Sequence, residues 1–83
     1  MIDHALAAWA VSLTDADLRV AYVEALEWLY EDYDNQPLMM EQGFREIGRI
    51  PFEDDFIEMA TVVMLECAGR WVNLHDGPVA LTP

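Results

Sequence analysis

Apolar side chains recur at three- and four-residue spacing along nearly the whole chain, and they divide it into four segments. Ile2, Leu6, Trp9 and Leu13 lie close to one face of a first, alanine-rich helix, expected over residues 3–12 with Asp3 as its cap. Thr14 opens a second helix, expected over 15–33. Asp17 stands at the capping-box position three residues on, and Leu13 and Leu18 are spaced as a hydrophobic staple. Leu18, Ala21, Tyr22, Ala25, Leu26, Leu29 and Tyr33 make its inner face, while Val20 and Val23 on the outer side require cover from another segment. Asn35 and Pro37 break the pattern. A third helix, over 37–48, carries Met40, Phe44 and Ile47 on one face. Gly43 lies within it as a point of close approach, and Gly48 is its stop.

The fourth segment, over 52–74, is apolar most of the way round. Phe56, Ala60, Val63, Cys67, Trp71 and Leu74 share one face, which Ile57, Met64 and Ala68 widen. Glu58, Glu66, Gly69 and Asn73 are confined to a narrow polar strip. Such a helix is either a core element or a membrane span, and Glu58, Glu66 and Arg70 are too many charges for a span. Pro51 suits its first turn, and Glu53, Asp54 and Asp55 suit the positive end of its dipole. Residues 75–83 form a tail: His75-Asp76-Gly77-Pro78 reads as a turn, followed by the short apolar run Val79-Ala80-Leu81. The expected fold is therefore all-α, a single small four-helix domain organised around a hydrophobic C-terminal helix.

Charge narrows the partners. Sixteen acids oppose four bases, all of them arginine, for a net charge of −12. Such a chain is repelled by nucleic acid and by anionic membrane and attracted to basic protein surfaces. A single cysteine permits no internal disulfide, and nothing before the first helix has the form of a signal peptide, so a cytoplasmic protein is expected. Hydrophobic residues make up 54% of the chain, a surplus for so small a domain, and burying it against a second copy is the alternative use of this surface.

Candidate chemistry is sparse. His4 and His75 stand apart, and no His-x-x-x-His or Cys-x-x-Cys spacing occurs. Asp32-x-Asp34 resembles the opening of a calcium loop, but Pro37 and Gly43 stand where that loop needs Gly and Glu. Cys67 on the apolar face reads as a buried thiol, and no phosphate-binding glycine loop is present. No catalytic residue, metal or cofactor is expected.

One group of residues has no local structural account. Glu24, Glu27, Glu31 and Asp34 step by three, four and three residues, as one ridge of the second helix, with Asp32 beside them. Most of them crowd its C-terminal turns, where negative charge opposes the dipole and like-charged neighbours repel by about 0.2–0.5 kcal/mol per pair. Trp28 and Tyr30 flank the ridge, and aromatics beside a polar rim are frequent binding hot spots. These seven residues are the candidate contact with a partner. In size and charge the chain resembles phage anti-defence proteins such as anti-CRISPRs and immunity proteins that neutralise nuclease toxins. That resemblance implies an inhibitor occupying the basic surface of a nucleic-acid-handling protein. The other reading is a homodimeric adapter whose apolar surface does the work.

Overall fold

In the computed structural model, residues 3–31 and 33–71 are described, and they form four helices with no strand among them. Helix α1 spans His4–Ser12, α2 Asp15–Tyr30, α3 Leu38–Glu46 and α4 Glu53–Gly69. The all-α expectation holds. Helix α4 packs against each of the other three, which makes it the central element. Ile2, Asp32, Val72, Asn73, Leu74 and the 75–83 tail lie outside the described residues.

Local signals set the first two helix starts. Asp3 accepts the Ala5 N–H at 2.8 Å, and Thr14 accepts the Asp17 N–H at 3.1 Å, each satisfying an otherwise orphaned donor. The core follows the helical rows. Leu6 and Trp9 of α1, Leu18, Ala21 and Ala25 of α2, Met40 and Phe44 of α3, and Phe56, Met59 and Val63 of α4 are buried together. At Gly43, an added Cβ would stand 2.5 Å from the Trp9 indole, so α3 approaches α1 as closely as it does because no side chain intervenes. Gly48 takes φ 75°, a left-handed conformation suited to ending a helix.

Four expectations are corrected. Helix α2 stops at Tyr30 rather than 33: Glu31 leaves helical geometry at φ −123°, and Tyr33 turns back to stack its ring on Trp28 at 4.6 Å. Helix α3 spans Leu38–Glu46 rather than 37–48, with Pro37 in the cap position at ψ 110°, outside the helix proper, and Ile47 as its C-cap. Helix α4 begins one residue after Phe52, whose N–H is taken by the Asp55 carboxylate at 3.0 Å, and it ends at Gly69. The last correction concerns the orientation of α4. Its exposed side is not the expected polar strip but the flank carrying Ile57, Thr61, Leu65 and Ala68. Helix α1 lies over the polar edge instead, where Glu58 accepts the Asp3 N–H at 2.7 Å and Glu66 pairs with Arg70 at 2.8 Å. Nor do the described residues cover Val20 and Val23, which stay about half exposed.

Candidate acidic binding site at the junction of α2 and α3

The expected ridge is divided by the end of α2. Glu24 and Glu27 stand on the helix, Glu31 is its cap residue, Asp34 lies in the following turn, and Asp32 falls outside the described residues. What the sequence suggested as one straight row is thus an acidic edge that begins on a helix and continues around a bend.

Two of the expected contact residues are committed inside the fold. Glu24 holds the start of α3: both its carboxylate oxygens accept the Met39 N–H, at 3.0 and 2.9 Å. Pro37 has no side-chain oxygen to cap that helix, and a carboxylate from α2 supplies both the acceptor and the charge its dipole favours. Trp28 is buried, with 5% of its surface exposed, between the stacked Tyr33 ring and the tilted Phe56 ring. The row Ala21, Ala25, Trp28 on the inner side of α2 carried that signal. Tyr30, in contrast, is 79% exposed.

Glu27, Glu31 and Asp34 are exposed. Ion pairs among the described residues engage Asp3, Asp15, Glu41, Asp55 and Glu66, and none reaches these three acids. Arg45, Arg49 and Arg70 are turned to those other carboxylates. Nor does α2 carry a basic residue in its last turn. The fold adds acids that local reading assigned only to a helix start. Glu53 lies against the Tyr33 phenol and, with the nearby charge of Asp54, pushes its pKa up. The first turn of α4 thereby joins the bend after α2 in one acidic end of the molecule. No spacing rule could have found this, because Tyr33 bridges segments twenty residues apart.

Beside the edge runs an open groove of about 940 Å3. Val20, Val23 and Leu38 form its walls, the buried Trp28 and Pro37 its floor, and Glu27 stands on its rim. Arg19, Glu24 and Glu27 add charge of both signs to this lining, so the face combines uncovered aliphatic surface with a charged edge. Elsewhere, Cys67 is buried and its thiol is pushed up by that burial against the opposing pull of Arg70, which leaves it a protonated packing group. Among the described residues no group of three or more His, Cys, Asp or Glu is placed to hold a metal, and no helix is long and apolar enough to cross a membrane. Compared with known family models, curated proteins and solved structures, the chain matches none.

Proposed function

We propose that this protein is an acidic binding protein that inhibits a basic, nucleic-acid-handling partner by covering its positively charged surface. The supporting observation is the acidic end itself: Glu27, Glu31 and Asp34 are exposed, and no ion pair among the described residues reaches them, whereas Asp3, Asp15, Glu41, Asp55 and Glu66 each meet an arginine. A surface built to hold phosphates presents arginines and lysines at spacings of a few ångströms, and carboxylates one helical turn apart can meet such a surface. The neighbouring groove gives that contact an apolar component: Val20, Val23 and Leu38 can receive an aliphatic or aromatic side chain from the partner. Tyr30 is the exposed aromatic on the same helix. In this reading the protein works in the cytoplasm, as an anti-CRISPR or other anti-defence inhibitor does, and touches no nucleic acid itself.

Comparing capture by the wild-type chain with capture by the triple variant Glu27→Gln, Glu31→Gln, Asp34→Asn tests the proposal. A partner taken from the native host should be retained by the first and lost by the second. Its affinity should fall steeply with rising salt, and wild type should displace nucleic acid from it. Equal partner affinity for both forms at low salt removes the acidic edge from the contact.

A further inference from the structure

The outward flank of α4 has a different character from the acidic end. At about 100° per residue, Ile57, Thr61, Met64, Leu65 and Ala68 fall within an arc of about 100°, and none of them is charged. Ile57 is 42% and Leu65 57% exposed, and Trp71, just past the helix, is 53% exposed and continues the row. In a chain of net charge −12, this is a strip some four turns long without a carboxylate. Of the charged residues of the same helix, Glu58 is turned to Asp3 and Glu66 and Arg70 to each other, while Glu53, Asp54 and Asp55 lie in the first turn, before the strip begins at Ile57.

We infer that this flank is the interface of a weak, two-fold symmetric homodimer in which α4 packs antiparallel against α4 of a second copy. Three observations favour a second copy as the occupant. The row is self-complementary about its own centre: in an antiparallel pair Ile57 falls opposite Trp71, Thr61 opposite Ala68, and Met64 opposite Leu65. Large residues meet large ones at the ends and centre, and the small Thr61–Ala68 pairs between them allow the helices to approach. Second, charge selects this geometry. A strongly acidic chain can meet itself only where acids are absent, and the antiparallel arrangement sets the two Glu53–Asp55 turns about 30 Å apart, well beyond a Debye length, whereas a parallel pair would press them together. It also opposes the two helix dipoles. Third, the exposed area is about 400 Å2 per copy, roughly 800 Å2 for the pair, below that of stable specific interfaces, which fits a weak and reversible self-contact rather than a permanent one. The dimer is therefore one that dissociates in the micromolar range, on the order of 10 μM.

Sedimentation equilibrium of the full chain across the micromolar range tests this, at low and at high salt. Wild type should pass from monomer to dimer with rising concentration. Its dimer should tighten a few-fold as salt screens the acids, the opposite of the response expected for the acidic edge, so the two contacts can fail independently. Leu65→Glu, at a position that α4 leaves exposed, should keep the helical circular dichroism of wild type and raise the dissociation constant at least about tenfold. Disulfide formation sets the orientation: a mixture of Thr61→Cys and Ala68→Cys proteins should cross-link, and Thr61→Cys alone should not. Three results overturn the proposal: a wild-type monomer throughout the range, self-association undiminished by Leu65→Glu, or cross-linking of Thr61→Cys with itself. The first of these would include the case in which residues 72–83 of the same chain cover the strip.

Discussion

Helices α1 and α2 end in opposite ways. At the end of α1 the Arg70 guanidinium reaches over from the end of α4 and donates to the carbonyls of Ala10, Val11 and Leu13, at 3.2, 2.8 and 2.6 Å. Glu66 and Asp15 hold the same guanidinium, and the Glu66 carboxylate in particular raises its pKa. At the end of α2 no cation is present in the last turn, and Glu27 and Glu31 add negative charge where the dipole is already negative. Both ends have orphaned carbonyls to satisfy. With only four arginines in the chain, the fold places one on three carbonyls and two carboxylates at the first end, while no ion pair among the described residues serves the second. The difference between the ends is therefore not a general consequence of an acidic composition. Among the described residues the second end borders the groove that Glu27 lines.

The strongest test of this contrast removes the cation. Arg70→Ala deletes the fork that ties α1 to α4 and leaves Glu66 without its partner and the α1 carbonyls without donors. The expected loss is about 2–4 kcal/mol, from charge-assisted hydrogen bonds to partly buried groups that do not add independently. That is a large share of the ~5–10 kcal/mol available to a domain of this size. Urea titration followed by circular dichroism measures it. Arg70→Lys should recover only a minor part, because a single ammonium cannot reach carbonyls and carboxylates together. A loss below about 0.5 kcal/mol would mean that the two helix ends differ in appearance only.

A smaller effect, of opposite sign at two neighbouring positions, sharpens the comparison on α2 itself. Glu24 and Glu27 are three residues apart, yet the first accepts the Met39 N–H and the second accepts nothing among the described residues. Glu24→Ala should destabilise by about 1–2 kcal/mol, the usual cost of a lost N-terminal cap. Glu27→Lys should stabilise by about 0.5–1 kcal/mol, since it places a cation in the last turn and converts a repulsive spacing with Glu31 into an attractive one. Thermal melting compares the two directly. If Glu27→Lys lowers the melting temperature, the acidic end is not locally costly, and the contrast with α1 loses its energetic content.

These pairs also show where reading the sequence works and where it stops. Asp3 and Thr14 were legible as caps because each bonds an N–H two or three residues away. The buried rows of α1 and α3 were legible because a helical period is a local property. Glu24 was misassigned because its partner lies fifteen residues away across a proline turn, and the role of Arg70 was not legible because the carbonyls it holds are some sixty residues away. Tyr33 fits the inner face of an extended α2 by spacing alone. Its stack on Trp28 needs the helix to stop first, and no period in the chain records that. The exposed flank of α4 was hidden for a related reason: α1 covers the edge with the charged residues, so hydrophobicity on that helix does not predict which side is buried. The acids Glu27, Glu31 and Asp34 were legible because their lack of a basic neighbour in sequence is itself a local fact, and no ion pair among the described residues reaches them.

The smallest effect lies at the start of α1, the helix whose other end Arg70 holds. Asp3 accepts the Ala5 N–H and lies 2.8 Å from the Arg49 guanidinium. The Ala5 N–H foremost, then the Arg49 charge, hold its carboxyl below the ordinary value of 3.8. A carboxylate whose pKa is depressed in the folded state adds stability that is complete above its unfolded value and is lost as pH falls through the folded value. Acidification from about pH 4 downward should therefore release the first turn of α1, seen as lower protection factors at Ala5 and Ala7, measured against the intrinsic exchange rate at each pH, while the buried amides of α4 remain protected. Asp3→Asn should keep the cap, lose the attraction to Arg49 and remove the acid dependence at those amides. Should they exchange with the same pH profile in wild type and Asp3→Asn, then α1 is held by Arg70 at one end alone, and the neutralised side of the molecule is smaller than the geometry of Asp3 and Arg49 implies.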